Sequence, residues 1–169
     1  MEKRMTDPDI SAFEAKPKGK QFEDFEVGQV LEHHWGRTLS QADNALFATT
    51  THAFNPIYFN VEAARADEHP DTVLNPMLVL CTVVGLSVED LSEGGGPFLG
   101  VNDVTFHRPA YPGDTLVARS TVTAKRESKS KPGVGIVSWH SEGFNQSGEL
   151  VLSYERTNLS FKRNAGAES

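Results

Sequence analysis

The chain has 169 residues, a length that fits one domain able to bury roughly two-thirds of its unfolded surface without a disulfide or a metal. Its residues are 38% hydrophobic and 23% charged, as in globular proteins, and a net charge of −7 argues against nucleic acid or an anionic membrane as the main partner. The one cysteine, Cys81, excludes an internal disulfide. Without a run of about 18 apolar residues or an apolar block near Met1, the expectation is a cytoplasmic protein with no membrane partner.

Residues 1–21 mix charge with Pro and Gly without periodicity and read as a mobile tail, as do residues 164–169, which leaves one domain over residues 22–163. Val30–Thr38 reads as a first strand. Ser40 and Asp43 then form a capping box, and Ala42, Ala45, Leu46 and Thr49 recur at helical spacing, so a short helix ends near Thr50. In Thr51–Asn60, Pro56 enforces an extended or turning path. Asn60 can cap a second short helix, which His69-Pro70 ends.

Asn75-Pro76 opens a third helix, MLVLCTVVGLSVEDL, apolar on nearly every face until Ser87 and therefore expected to be buried on all sides. After Gly94-Gly95-Gly96, a flexible connection, the pattern changes to strands over residues 98–107, 114–126, 133–144 and 149–161. The predicted architecture is α+β, a twisted five-stranded antiparallel sheet wrapped around one apolar central helix.

Several segments together resemble the MaoC-like, or (R)-specific enoyl-CoA hydratase, family of hotdog-fold proteins. They are Phe25-Glu26-Val27-Gly28, the helix start at Ser40–Phe47, the segment Thr51-His52-Ala53-Phe54-Asn55-Pro56-Ile57-Tyr58, and Arg108-Pro109-Ala110-Tyr111-Pro112-Gly113-Asp114-Thr115-Leu116. The resemblance implies a hotdog domain, a homodimer or higher homo-oligomer joined edge to edge, and reversible hydration of an enoyl thioester. Coenzyme A is then part of the substrate, with no other cofactor and no metal. Backbone amides at the start of the central helix, Asn75, Met77 and Leu78 here, are implied to bind the thioester oxygen, where charge builds as the α-carbon becomes enolate-like.

The family's acid/base signature is an Asp, one residue, Asn-Pro, one residue, then His. Asn55-Pro56 is intact, but Ala53 stands at the Asp position and Tyr58 at the His position. Alanine cannot act as a base, and a phenol with an ordinary pKa near 10 is a poor one at neutral pH. The candidate catalytic set is therefore Tyr58, Asn55 and His52, with Ala53 lining the pocket and an unusual acyl group, branched or carboxylated, as substrate. A catalytically inactive acyl-CoA sensor is the alternative. A thioesterase ranks third, because Asn75–Val88 offers no carboxylate.

The other candidates are weaker. Lys125, Arg126, Lys129 and Lys131 form a basic island that either meets the phosphates of coenzyme A or is a solvated hairpin. His33 and His34 read as one inward and one solvated residue, and His107 and His140 as structural. Cys81 reads as a buried small apolar residue, and Glu89, Asp90 and Glu93 as a solvated helix end.

Overall fold

A computed structural model describes residues 19–163; residues 1–18 of the first expected tail, and all of the second, lie outside the described residues. Five strands follow the predicted spans to within one residue: β1 (Val30–Thr38), β2 (Phe98–Phe106), β3 (Thr115–Glu127), β4 (Val134–Phe144) and β5 (Leu150–Phe161). They form one antiparallel sheet in the order β1-β3-β4-β5-β2, so β1 and β2 are its edges. Between β1 and β2 lie α1 (Gln41–Thr51), a 3-10 turn (Pro56–Tyr58), α2 (Val61–Ala66), α3 (Pro76–Leu86) and α4 (Val88–Leu91). This is the hotdog arrangement, with α3 laid across the curved face of the sheet.

The strand pattern explains why α3 sits there. Leu116, Ala118, Ser120 and Val122 alternate along β3 and are all buried, as are Val151, Leu152 and Tyr154 of β5. Val79, Leu80 and Val83 of α3 pack onto this surface. Gly143 on β4 sets the distance: a Cβ there would lie 2.5 Å from a Leu152 methyl and 2.7 Å from a Val83 methyl, so only glycine lets the helix come this close. A second cluster lies around Trp139 and includes Phe25, whose ring meets the indole edge-on at 5.2 Å.

Two expectations about α3 are corrected. The helix does not run on through residue 91: Ser87 breaks it, its hydroxyl donating to the Val84 carbonyl at 2.7 Å, and α4 restarts at Val88. Nor is α3 buried on all sides in the single chain. Met77, Cys81, Gly85 and Val88 form an exposed stripe, Met77 at 50%, so Cys81 is an exposed thiol. The sheet covers one face of the helix, and among the described residues nothing covers the other. Edge strand β2 continues this apolar surface with Phe98 and Val101, which share a groove with Leu80, Cys81 and Val84.

Polar groups at the far end of α3 are closely paired. His33 is buried and bridges Asp90 Oδ2 (2.8 Å) and Ser120 Oγ (2.9 Å), and Ser120 contacts Ser141 Oγ at 2.8 Å. His34 faces outward, and Asp90, expected in solvent, instead ties α4 to β1. Arg156, 2% exposed, donates to Asn158 Oδ1, Ser87 Oγ and Ser92 Oγ at 2.7–2.9 Å, and Phe98 lies 5.4 Å away across its guanidinium. Burial lowers the Arg156 pKa and raises that of Tyr154 beside it.

Candidate active site at the start of the central helix

The site is assembled by one asparagine. Asn44, fully buried on α1, donates from Nδ2 to the carbonyls of Tyr58 (2.7 Å) and Val73 (2.8 Å) and accepts from the Asn75 N–H at 2.7 Å. Gln41, one turn earlier, also donates to the Tyr58 carbonyl (3.1 Å) and accepts from the Thr72 hydroxyl (2.7 Å). Together they lash the Asn55–Tyr58 turn to the entry of α3. A backbone bond from the Val73 N–H to the Ile57 carbonyl, 2.9 Å, completes the tie.

Within that turn Asn55 acts locally. Its side chain accepts from the Ile57 N–H at 3.3 Å, capping the 3-10 turn that Pro56 starts. Tyr58 and Ala53 are half-buried. His52 closes α1 in the left-handed conformation (φ 57°) and is exposed, with its ring 5.8 Å from that of Phe54. Asn55, Tyr58 and Ala53 thus lie on one short segment tied to the loop that leads into α3, and His52 stands exposed at its start.

At α3 itself, Asn75 is buried and its Oδ1 accepts from the Met77 N–H at 2.9 Å, while its carbonyl accepts from Val79. Pro76 carries no N–H. The Met77 amide, a candidate donor to the thioester, is therefore already occupied by the helix cap. Leu78 keeps the one first-turn N–H without an acceptor among the described residues, at the positive end of the helix.

The basic hairpin is not part of this constellation. The α3 entry lies beside the start of β3, since Leu74 donates to the Ala110 carbonyl. Lys125 lies near the other end of β3, roughly 30 Å along the strand from Leu116. Its ammonium donates to the Phe25 carbonyl at 2.7 Å and lies 4.6 Å from the centre of the Phe22 ring. Arg126, Lys129 and Lys131 are exposed on the same hairpin.

Three features of the site were not read from the sequence. Asn44 carries no local signal in the sequence, because its three partners lie 14 to 31 residues further along the chain. Arg37, at the end of β1, lines a groove of about 330 Å³ beside α3 together with Leu39, Leu78 and Thr82. His69 Nδ1 and the Tyr111 hydroxyl lie 3.1 Å apart, and burial, reinforced by the Asp114 charge, pushes the Tyr111 pKa up. The remaining histidines are tied to the sheet, His107 to Ser153 and His140 to Glu155, both at 2.9 Å. No group of three or more metal-ligating side chains gathers among the described residues, and no helix among them is long and apolar enough to cross a membrane.

Comparison with known proteins places these features. A family model described as mesaconyl-CoA hydratase matches residues 5–168. The mesaconyl-CoA hydratase of Haloarcula marismortui is 38% identical over 155 residues, which cover 91% of this chain and 43% of that protein. Among solved structures, a MaoC domain dehydratase from Chloroflexus aurantiacus aligns with a TM-score of 0.84 at 31% identity, covering 93% of this chain and 44% of that one. A Mycobacterium tuberculosis protein described as having a double hotdog fold aligns with a TM-score of 0.72 at 25% identity, covering 85% and 44%. The chain thus spans somewhat under half the length of these three proteins.

Proposed function

The chain belongs to the mesaconyl-CoA hydratase family, and on that premise we propose that it adds water to, or removes it from, an acyl-CoA thioester whose acyl group is branched or carboxylated. The observation that carries this reading is the Leu78 amide, left without an acceptor among the described residues at the capped start of α3, whose entry Asn44 ties to the Asn55–Tyr58 turn. The Leu78 N–H and the helix dipole take up charge on the thioester oxygen as water adds across the double bond. Tyr58, with Asn55 shaping its turn and His52 at the rim, handles the water and its proton. The enzyme works in the cytoplasm as a pair of hotdog units, a second copy covering the Met77–Cys81–Gly85–Val88 stripe and edge strand β2. The double-length relatives support that pairing, since they hold room for a second unit within one chain.

The second reading, an acyl-CoA binder without turnover, is favoured by one residue: Ala53 offers neither acid nor base where the family's Asp stands. Turnover separates the two. The purified protein is expected to consume mesaconyl-CoA in an enoyl-absorbance assay, and Tyr58→Phe to slow it by about 100-fold, the usual worth of a positioned proton carrier. Saturable binding without turnover would establish the binder. In that case the double variant Ala53→Asp with Tyr58→His is expected to gain hydration of crotonyl-CoA.

A further inference from the structure

We propose that Arg37 and the groove it lines form the acyl subsite, and that Arg37 selects acyl groups bearing a free carboxylate. The inference rests on the thioester reading above and adds to it the residue that recognises the far end of the acyl chain.

The groove of about 330 Å³ runs between the end of β1 and the outer side of α3. Leu39, Leu78, Cys81 and Leu86 supply an apolar lining, and the Thr82 hydroxyl already donates to the Leu78 carbonyl at 2.8 Å. Among the described residues, Arg37 is the one charged side chain along it. An apolar acyl chain needs no such neighbour, whereas a carboxylate laid along this lining finds its one positive partner in the guanidinium. A guanidinium pairs with a carboxylate through parallel N–H groups, a geometry that lysine lacks.

Arg37 is also held in place. Its Nη2 donates to Asp43 Oδ1 at 2.7 Å, and Asp43 is fixed in turn by the Ser40 N–H (2.9 Å) and hydroxyl (2.6 Å). One of the five guanidinium N–H groups is used in this way, which leaves the rest for a ligand. The next residue after Asp43 is Asn44, which anchors the Asn75 N–H, so the guanidinium and the α3 entry are referenced to the same turn of α1. Leu78 belongs to both places: its amide awaits the thioester oxygen and its residue lines the groove. A short dicarboxylic thioester would thus meet a donor at each end, with only apolar contacts between.

The test compares two thioesters that differ only at the far end of the acyl group. Mesaconyl-CoA in its C1-thioester form carries a carboxylate where 2-methylcrotonyl-CoA carries a methyl group. Dissociation constants for both are measured on the full chain and on Arg37→Met and Arg37→Lys, with thermal melts confirming that each variant is folded. We expect Arg37→Met to weaken mesaconyl-CoA by about 10- to 100-fold and 2-methylcrotonyl-CoA by less than about twofold, with Arg37→Lys in between. Equal losses for both ligands would show that Arg37 only staples α1, and would overturn the inference while leaving the thioester reading intact. So would an unchanged preference in Arg37→Met, including the case in which Arg37 meets the phosphates common to both ligands. Failure of the unaltered chain to bind either thioester would overturn the reading and the inference together.

Discussion

The two ends of α3 are both polar, and they are polar in opposite ways. At the C-terminal end Ser87, Ser92 and Asn158 receive Arg156, and Asp90, His33, Ser120 and Ser141 form a closed run of hydrogen bonds. At the N-terminal end the bonds serve to expose something: Asn44 and Asn75 satisfy the surrounding backbone and leave the Leu78 amide open beside a groove. A buried polar group that finds its partners fixes a fold, while one held open at a helix start is prepared for a ligand. The difference predicts that damage at one end lowers stability alone, whereas damage at the other lowers binding as well.

The largest expected effect is at the closed end. Arg156→Ala removes three hydrogen bonds and leaves a cavity, and should cost about 3–5 kcal/mol in urea unfolding, with thioester affinity per folded molecule unchanged. A selective loss of affinity there would break the contrast between the two ends. Asn44→Ala comes next, at about 2–3 kcal/mol, because the Tyr58 and Val73 carbonyls and the Asn75 N–H all lose a partner. Unlike Arg156→Ala, it should also weaken mesaconyl-CoA binding in the molecules that remain folded, which calorimetric titration below the melting temperature would read.

The smallest effect is a pH dependence. Hydrogen bonds from Ser40, helped by Arg37, lower the Asp43 pKa in the folded chain. Asp43 therefore contributes stability that is fully present above the ordinary carboxylate pKa, near 4, and fades as pH falls through its lower folded value. Melting temperatures measured from pH 6 down to 3 should fall less steeply in Asp43→Asn than in the unaltered chain. Parallel curves would remove Asp43 from the account.

The strands were legible because alternation along β3 matches the face each residue takes, and Asn75-Pro76 announced α3 to the residue. The exposed stripe on α3 was not legible. Where every position is apolar, periodicity cannot say which face is left over, so Cys81 read as buried. The break at Ser87 follows Gly85 by two residues, but one glycine inside an apolar run does not by itself end a helix. Of the site, Asn55–Tyr58 and Asn75 stood out through proline and capping chemistry, which are local signals. Arg37 and Asn44 did not, because their roles depend on α3 arriving beside them from more than thirty residues away. The Lys125–Lys131 island drew attention for the reverse reason: a count of charges carries no information about which end of a strand they occupy.

Both sheet edges are irregular, and that bears on how copies of this protein can accumulate. The β1 ladder shifts register between Glu32 and Gly36, and β2 shifts twice, with Asp103 at a φ of 51° inside its second irregularity. A straight edge would template strand after strand into a growing ribbon. Here a neighbouring strand could follow β2 in register only from Gly100 to about Asn102, between its two irregularities. The same kinks that shape the fold therefore act as a stop, allowing one short docking event and denying the repeat on which fibrils depend.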